Sequence, residues 1–307
     1  MEKAKSMEKV LCIGHAAYDI TLPLETFPKE NSKVRIGDKV ECGGGAASNC
    51  ATLLARWGMN TYFVGAVGND YYGQIVRDEF QKDNIKMDYL TVTDDFKTTS
   101  SYILANTSNG SRTIVISRTK KEEAKVESLP DDATVIIADG EEPTLTEEAI
   151  RKNPTAISIL DAGNVKSAIV RLCPIVQYLI CSKDFAEEYT KEAIDVLNRQ
   201  TLIRAYDKLA VEFHNTIIIT LGEYGCFTKV DNEYMLVPSI PVRPKDSTAA
   251  GDIFHGAFAY FISLNYKLCD TMILANITGA LSTQKIGGKY SIPTLEEVYA
   301  QSELNGK

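Results

Sequence analysis

Residues 246–252 read Asp-Ser-Thr-Ala-Ala-Gly-Asp and run directly into an apolar segment that extends to residue 261. Small residues at the start of a buried helix leave several backbone N–H groups unpaired at the positive end of the helix dipole. Such a start suits a phosphate group or a developing negative charge. Asp252 lies in the predicted first turn, where a carboxylate either complements the dipole or takes part in chemistry. This stretch alone leaves both interpretations open.

Outward from this segment, short apolar and β-branched runs alternate with helical patterns. The strand-like runs cover residues 10–14, 62–67, 134–138, 156–161, 178–182 and 216–222. The helical patterns cover residues 46–57, 72–82, 201–213, 251–262 and 270–284. Because the strand-like runs are almost continuously hydrophobic, we expect strands that are buried on both faces. The alternation predicts an α/β fold in which helices cover both faces of a doubly wound, mostly parallel sheet.

Two stretches depart from this alternation. Residues 19–42 contain extended, partly polar segments at 20–22, 33–36 and 39–42. Residues 100–117 are typical of a hairpin that turns at Asn109-Gly110. We expect a small separate sheet that forms a lid from about residues 15–42 and 98–118. Since there is no internal repeat and no Pro/Gly-rich linker, residues 1–307 are expected to form one domain that carries this lid.

The composition is typical of a soluble globular protein, because 44% of the 307 residues are hydrophobic and 24% are charged. The chain has 33 Lys and Arg residues against 41 Asp and Glu residues, which gives a formal net charge of −8. This balance disfavours the broad basic surface that nucleic acid or anionic lipid requires. We therefore expect no nucleic-acid partner and no membrane partner, and any anionic ligand must be held locally.

Cysteine and histidine usage bears on the compartment and on metal binding. The seven cysteines are scattered, odd in number and without a Cys-x-x-Cys pair, which favours reduced thiols. The three histidines show no zinc-binding spacing. The first apolar run is broken at Gly14, too soon for a signal peptide or a membrane span. These features predict a cytoplasmic protein.

Further motifs lie where predicted strands end. Residues 43–49 read Gly-Gly-Gly-Ala-Ala-Ser-Asn and enter a predicted helix. Because the glycines lack a Cβ, the backbone here can approach a ligand closely. The Asn49 side chain offers a hydroxyl group both a donor and an acceptor. The alternative is a tight turn with a helix cap. Asp19 can accept two hydroxyl hydrogens, although an isolated Asp is more often a turn residue. Residues 220–225 read Thr-Leu-Gly-Glu-Tyr-Gly and follow an apolar strand, where α/β proteins bind ligands.

Taken together, these segments resemble the ribokinase-like, or pfkB-type, carbohydrate kinases over nearly the whole chain. Residues 246–252 are similar to the C-terminal motif Asp-Thr-x-(Gly/Ala)-Ala-Gly-Asp, with Ser247 in place of the usual Thr. Residues 65–73 match the N-terminal motif Gly-x-x-Gly-x-Asp-x-x-Gly, and residues 43–49 resemble its Gly-Gly-x-x-x-Asn motif. A P-loop is absent, and the glycine-rich segment lacks the third Rossmann glycine, so a dehydrogenase is the weaker hypothesis.

The resemblance implies an ATP-dependent sugar kinase. It implies that Asp252 accepts the proton of the attacking hydroxyl group, while backbone N–H groups of Ala249, Ala250 and Gly251 stabilise charge on the phosphoryl group. The expected sugar-binding residues are Asp19, Gly44, Gly45, Asn49, Lys33 and Asp139. The expected ATP-binding residues are Thr220, Gly222, Gly225 and Asn276. Because lids in this family often pair between subunits, a homodimer through the lid is expected as well.

The resemblance also implies two cations. Family members commonly carry Asn-x-x-Glu after the strand represented here by residues 178–181, and this motif organises water around Mg²⁺. This chain has the displaced Asp184 and Glu187, similar to the Ser-Lys-Asp form of ketohexokinase-like members, and these are the candidate magnesium residues. Many members also hold K⁺, and the matching positions are Asp246, Thr248, Gly287 and Ser291.

The sugar is the most open point. A neutral ketohexose such as fructose is the first expectation, followed by ribose, a nucleoside or sulfofructose. Lys33 would suit an anionic group, and the surroundings of His255 and of residues 138–139 resemble sulfofructose kinase-like members. The acidic residues at 139–142 argue against an anionic substrate. A non-catalytic sensor of sugar or nucleotide is the alternative from another class, which Asp252 disfavours because a sensor needs no general base.

Overall fold

The computed structural model describes residues 8–119 and 122–305. Its strands, in chain order, are β1 (Lys9–Gly14), β2 (Ala17–Leu24), β3 (Val40–Gly44), β4 (Asn60–Gly68), β5 (Lys86–Thr93), β6 (Thr99–Asn106), β7 (Arg112–Ser117), β8 (Val135–Ala138), β9 (Ile157–Ala162), β10 (Tyr178–Ser182), β11 (Thr216–Thr220), β12 (Cys226–Val230) and β13 (Glu233–Val237). Its α-helices are α1 (Ala46–Arg56), α2 (Tyr71–Lys82), α3 (Pro143–Lys152), α4 (Ser167–Leu172), α5 (Lys183–Thr190), α6 (Arg199–Glu212), α7 (Ala250–Ser263), α8 (Leu268–Ser282) and α9 (Leu295–Asn305).

The strands form two sheets. The large sheet has the order β13-β12-β11-β10-β9-β8-β1-β4-β5, and the strands from β11 to β5 pair in parallel. Strands β12 and β13 extend it in antiparallel fashion. Each parallel connection passes through a crossover, as parallel pairing requires. The predicted doubly wound, mostly parallel sheet is therefore confirmed, and all six predicted strands belong to it.

Two hydrophobic cores cover the faces of the large sheet. Successive side chains of a strand point to opposite faces, so Val10 and Cys12 of β1 pack in one core while Leu11 and Ile13 pack in the other. Helices α1, α7 and α8 contribute to the first core, and helices α3, α5 and α6 contribute to the second. This double burial explains the continuous apolar runs in the sequence. It also places the carboxyl ends of the parallel strands together at one edge.

The small sheet has the order β3-β2-β6-β7. Strands β6 and β7 form the predicted hairpin, with Ser100 opposite Ser117 and Ala105 opposite Arg112. The expected extended segment at residues 33–36 is wrong, because it lies in an exposed loop between β2 and β3. Pairing of β2 with β3 begins only at Val40, so this part of the loop has no strand neighbour to stabilise it.

Edge strands escaped the sequence prediction. Strands β5 and β13 lie at the two ends of the large sheet, and most of their residues are partly or fully exposed. Their sequences therefore lack the unbroken apolar run by which the central strands were recognised. The thiols of all seven cysteines are free, as expected. In the described parts of the chain, no helix is both long enough and apolar enough to cross a membrane.

Candidate functional site

A cavity of about 500 Å³ lies between the carboxyl edge of the large sheet and the small sheet. The large sheet contributes residues at or just beyond its strand ends: His15, Asp139, Asp161, Ser182 and Thr220. The small sheet contributes inward-facing residues: Asp19, Thr99, Ser101, Ile114 and Ile116. Ligands of open α/β sheets bind beyond the carboxyl ends of the strands, so this cavity is the expected place for one. We call it the inner cavity.

A second cavity of about 720 Å³ adjoins the first, and we call it the outer cavity. It is lined by all four predicted nucleotide residues, Thr220, Gly222, Gly225 and Asn276. The tip of the β6–β7 hairpin, at Asn109-Gly110, forms part of its wall. Thr220 and Gly251 line both cavities, so the two spaces meet at the start of α7.

The start of α7 has an unusual backbone. Ala249 precedes the helix in the left-handed region, with φ 61° and ψ 6°, a conformation that costs free energy for a residue with a Cβ. No side chain of the described residues caps this helix. Of the three predicted N–H donors, that of Ala250 is already engaged, since it donates to the Ser247 carbonyl oxygen at 3.3 Å. Gly251 is exposed at the junction, and a Cβ there would meet open space.

Asp252 follows in the first turn and is hydrogen-bonded to the predicted sugar residue Asn49. The Asn49 side-chain Nδ2 donates to Asp252 Oδ2 at 2.7 Å, and both residues line the inner cavity. The Asn49 Oδ1 atom is buried and has no partner in the described chain. Burial, followed by the nearby Asp161 carboxylate, raises the pKa of Asp252 well above its usual range. A carboxylate whose pKa is raised in this way is suited to accept a proton near neutral pH.

Asp19 and Gly45 line the same cavity, and Gly44 lies behind Asp19, outside the lining residues. Asp19 of β2 is buried, and its burial raises the pKa of the carboxyl group to about 6. Its carboxylate occupies the space that a Cβ on Gly44 would fill, so Gly44 lies directly behind it. Gly45 has φ 94°, and a Cβ there would overlap the His15 carbonyl oxygen. Both glycines are therefore required for the shape of this wall.

Two predicted sugar residues have other positions or partners. Asp139 lines the inner cavity, but Oδ2 accepts from the backbone N–H groups of His15 at 2.8 Å and Ala47 at 3.1 Å. Its Oδ1 accepts from the Glu141 N–H at 3.0 Å, so this carboxylate holds together three separate segments of backbone around the site. Lys33 lies in the exposed loop between β2 and β3, outside the residues that line the cavity. The charged residues around Lys33 in the sequence did not indicate that this loop lies away from the cavity.

Asn276 has a structural contact in addition to its place in the outer cavity. Its side-chain Nδ2 donates to the Val237 carbonyl oxygen at 3.0 Å and approaches the Pro238 carbonyl oxygen at 3.4 Å. These bonds hold the chain after β13 against α8, where it forms the wall of the outer cavity. Gly225 has φ 97°, and a Cβ there would overlap the Val237 carbonyl oxygen. The same wall therefore depends on both residues.

The proposed magnesium residues do not fit a metal site. Asp184 is exposed in the first turn of α5, and Glu187 accepts from Ile194 N–H at 2.7 Å and from Lys183 Nζ at 2.9 Å. Both lie outside the linings of the two cavities, whereas Ser182 lines the inner one. Within residues 8–119 and 122–305, no group of three or more His, Cys, Asp or Glu side chains is placed to hold a metal ion. The two residues have the spacing of the family motif, but neither of them lines a cavity.

The proposed potassium residues are brought together. The buried Asp246 accepts from Thr248 N–H through Oδ1 at 2.9 Å and from Gly287 N–H through Oδ2 at 3.0 Å. The Thr248 hydroxyl is buried and has no partner among the described residues. Ser291 is four residues after Gly287, and its backbone N–H donates to the Gly287 carbonyl oxygen at 3.0 Å. Its hydroxyl group donates to the Gly288 carbonyl oxygen at 2.7 Å. A buried carboxylate beside an unpaired hydroxyl oxygen has the donor chemistry that an alkali cation requires.

Sequence reasoning missed several charged residues of the inner cavity, among them Arg112 and Asp161. Arg112 of β7 donates from Nη1 to the Ser247 hydroxyl at 2.7 Å, which carries a positive charge to the start of α7. Asp161 ends a strand that the sequence predicted, so the rule that places ligands at strand ends would have identified it. Arg112 gave no comparable signal, because its approach to Ser247 depends on how the hairpin folds over the body.

A charged cluster forms another part of the lining of the inner cavity. Arg118 donates to Glu141 at 2.5 Å, and Lys166 contacts the same carboxylate at 3.2 Å. Although burial opposes the shift, the hydrogen bond and charge of Arg118 lower the pKa of Glu141 to about 2. Since Arg118 follows β7 and Glu141 follows β8, this ion pair ties the small sheet to the large one.

Comparison with known proteins gives a consistent result. The sequence profile of the pfkB family carbohydrate kinases matches residues 7–295. The ribokinase of Staphylococcus aureus (strain COL) is 25% identical over 301 residues, which cover 94% of this chain and 98% of that protein. The solved structure of a putative ribokinase from Agrobacterium tumefaciens has a TM-score of 0.86 at 23% identity and covers 98% of this chain and 99% of its own. The structure of Arabidopsis thaliana ribokinase complexed with ribose and ATP has a TM-score of 0.78 at 20% identity, covering 96% and 98%.

Proposed function

Because the chain belongs to the pfkB family of carbohydrate kinases and has the ribokinase-like fold, we propose that it transfers the γ-phosphoryl group of ATP to a hydroxyl group of a small sugar. Carbohydrate kinases of this family are phosphotransferases with an alcohol group as acceptor. The main support for this proposal is that the two cavities join at Gly251, with the Asp252 carboxylate beside the junction. A sugar in the inner cavity and a nucleotide in the outer cavity would meet there.

Asp252 is proposed as the general base. The Asn49 amide holds one carboxylate oxygen at 2.7 Å, which leaves the other for the sugar hydroxyl. The unpartnered Asn49 Oδ1 would accept a hydrogen bond from the same sugar, and Asp19 would accept from hydroxyl groups at the opposite wall. As the hydroxyl oxygen attacks the γ-phosphorus, its proton passes to Asp252 and the bond to the ADP oxygen breaks.

Two features of the chain are proposed to stabilise negative charge on the phosphoryl group. The uncapped start of α7 presents backbone N–H groups and the positive end of the helix dipole at the junction. Arg112 adds a guanidinium group that is fixed beside this start by its bond to Ser247. Because Arg112 lies on the small sheet, its charge is delivered only while that sheet covers the cavity.

The small sheet is proposed to act as a lid, formed by about residues 15–42 and 98–118 within a single domain of residues 1–307. Its support is the set of bonds across the cavities: Ser247 N–H donates to the Gly110 carbonyl oxygen at 3.1 Å, and Arg118 binds Glu141. A closed lid would exclude water and so limit hydrolysis of ATP. Tyr102 and Val115 of the same sheet are exposed, which supports the proposed homodimer through this surface.

Ribose is proposed as the first substrate to test, ahead of the ketohexose that the sequence favoured. The support is the ribokinase relative that is 25% identical over nearly the full length of both chains. A coupled assay of ADP formation with ribose, fructose, nucleosides and sulfofructose would compare kcat/KM for each acceptor. We expect kcat/KM for one pentose or hexose to be well above that of the other acceptors. ADP formation with this sugar should also be much faster than without an acceptor. Equal rates with every acceptor and with none would contradict it.

The sugar wall gives one testable prediction. Replacing Asp19 by Ala should weaken sugar binding by about 1–3 kcal/mol, because the hydroxyl groups that it accepts lose their partner in a dry site. We expect a higher sugar KM and an unchanged ATP affinity, measured by steady-state kinetics and calorimetry. Thr21→Val is the matched control, since Thr21 is two residues along the same strand and its buried hydroxyl has no partner in the described chain. If both variants raise the sugar KM equally, Asp19 supports the strand rather than the sugar.

For cations, the chain's own residues support K⁺ more than a protein-bound Mg²⁺. Asp246, Thr248 and the backbone at Gly287 would hold K⁺ beside the start of α7, where it would supply positive charge to the loop. Asp184 and Glu187 do not fit a Mg²⁺ site.

We predict that K⁺ raises both the melting temperature and the rate relative to choline at equal ionic strength, because a ligand of the folded state stabilises it. Thr248→Val should remove most of both effects. Thr271→Val serves as the control, since that hydroxyl is also buried and without a partner among the described residues. Differential scanning calorimetry and initial rates measure the two effects. Equal melting temperatures in K⁺ and choline would contradict the site.

A further inference from the structure

Lys289 is only 1% exposed, although lysines are almost never fully buried unless their charge is paired. Its ammonium Nζ lies 3.3 Å from Glu79 Oε2 on α2 and 4.8 Å from the centre of the Phe80 ring. Arg56 Nη1 donates to the Lys289 backbone oxygen at 2.6 Å, so the residue is held at both ends. Because a well-packed apolar side chain is often at least as stable in such a place, the buried charge points to a role beyond packing.

Glu79 connects this ammonium group to the strand behind the inner cavity. The same carboxylate oxygen, Oε2, also accepts the Gly43 backbone N–H at 2.9 Å. Because β3 is the edge strand of the small sheet in the described parts of the chain, acceptors on its outer side must come from elsewhere. The Glu79 carboxylate is such an acceptor, and Lys289 fixes its position.

Gly43 and Gly44 face opposite sides of β3, as successive residues of a strand do. A Cβ on Gly43 would lie 2.6 Å from Lys289 Nζ. A Cβ on Gly44 would lie 2.0 Å from Asp19 Oδ2, and Asp19 lines the inner cavity. The glycine backbone therefore lies between Lys289 on one side and Asp19 on the other. A shift of Gly43 would move the surface against which the Asp19 carboxylate packs.

The segment that carries Lys289 also lies beside the other proposed sugar residue. A Cβ on Gly288 would lie 3.1 Å from the Ala249 Cβ and 3.8 Å from Asn49 Nδ2. Ala249 and Asn49 both line the inner cavity. By fixing this segment, the buried lysine supports the wall of the inner cavity at two separate places.

We propose that Lys289 is a positioning residue for the sugar: through Glu79 it holds the Gly43–Gly44 backbone in place behind Asp19. Its kinetic consequence rests on the proposed function, which places a sugar against Asp19. The nucleotide is not affected, because other segments line the outer cavity. The structural part, in which Lys289 and Glu79 fix the Gly43 N–H, is independent of what the protein phosphorylates.

The first experiment measures hydrogen exchange at the Gly43 amide in the full chain by NMR. Lys289→Met keeps a long side chain but removes the charge that fixes Glu79. We expect the Gly43 amide to exchange about tenfold faster in this variant, while amides of the large sheet keep their rates. Lys285→Met is the control, since Lys285 pairs with Glu297 on the surface. Equal acceleration at every amide, or no acceleration at Gly43, would overturn the proposal.

The second experiment compares steady-state kinetics with ribose and with fructose as the acceptor. Lys289→Met should raise the sugar KM about tenfold and leave kcat and the ATP KM within about twofold of wild type, as expected when only sugar binding is lost. Lys285→Met should change none of these constants. A lower kcat with an unchanged sugar KM, or equal increases in the sugar KM and the ATP KM, would show that Lys289 only supports the fold.

A double-mutant cycle tests whether Lys289 acts through Glu79. Glu79→Leu removes the acceptor of Gly43, so Lys289→Met should have no further effect in that background, and both variants should share one sugar KM. Multiplied effects would contradict the connection. If Glu79→Leu fails to fold because it leaves a buried ammonium group unpaired, the exchange rate and the kinetics of Lys289→Met still decide the proposal. If the wild type phosphorylates neither sugar, the proposed function fails, and exchange at Gly43 still decides the structural part.

Discussion

Replacing Asp252 by Asn is expected to lower kcat by about 10²–10⁴-fold, the usual contribution of a general base. The amide keeps the size of the side chain, but it cannot take the proton of the sugar hydroxyl. Binding of ATP and sugar should remain close to wild type, because the outer cavity and Asp19 are unchanged. Steady-state kinetics and isothermal calorimetry should therefore diverge.

Asp270→Asn is the matched control for the helix-dipole explanation of Asp252. Asp270 lies in the first turn of α8, and it is exposed. If Asp252 only complemented a helix dipole, the two variants would lose similar small amounts of stability and keep their turnover. A kcat for Asp252→Asn within about tenfold of wild type would remove Asp252 from the role of base.

Replacing Arg112 by Gln is expected to lower kcat by about 10²–10³-fold, the cost of removing one fixed donor from a transition state. The guanidinium group reaches Ser247 Oγ from the small sheet, so its loss removes charge at the start of α7. The sugar KM should change little, since Asp19 and Asn49 still line the inner cavity. Arg112→Lys should recover part of the loss because it keeps the charge but not the planar geometry.

Arg171→Gln is the control for the loss of an arginine. Arg171 pairs with Glu147 on the surface, so its removal should leave kcat and KM unchanged. If Arg112→Gln raises the sugar KM and leaves kcat alone, Arg112 binds the sugar rather than the phosphoryl group. In that case the charge at the junction must come from the helix start alone.

The sequence predicted those features of the fold that depend on local pattern. The continuous apolar runs identified six strands of the parallel sheet, because burial on both faces removes polar residues from them. The motif segments identified Asp252 and Asn49, which the structure joins by a hydrogen bond. Strand β13 was missed because an edge strand is half exposed and resembles a loop in composition.

The site was predictable where residues follow strands and unpredictable where the small sheet folds over. Asp161 ends a predicted strand and could have been found by topology. Arg112 could not, since it belongs to no motif and meets Ser247 only because the β6–β7 hairpin folds over the start of α7. Asp184 and Glu187 illustrate the converse, because their spacing fitted a motif while neither residue lines either cavity.

Sugar and ATP are proposed to meet at Gly251, where the phosphoryl group would pass from one to the other. Phosphorus NMR of the full chain with ATP, magnesium and ribose, and with fructose in parallel, follows every phosphorus-containing product in one sample. We expect one sugar phosphate for each ADP formed with the preferred sugar, and almost no sugar phosphate with Asp252→Asn. Formation of ADP with inorganic phosphate alone, or a full yield of sugar phosphate from Asp252→Asn, would contradict it.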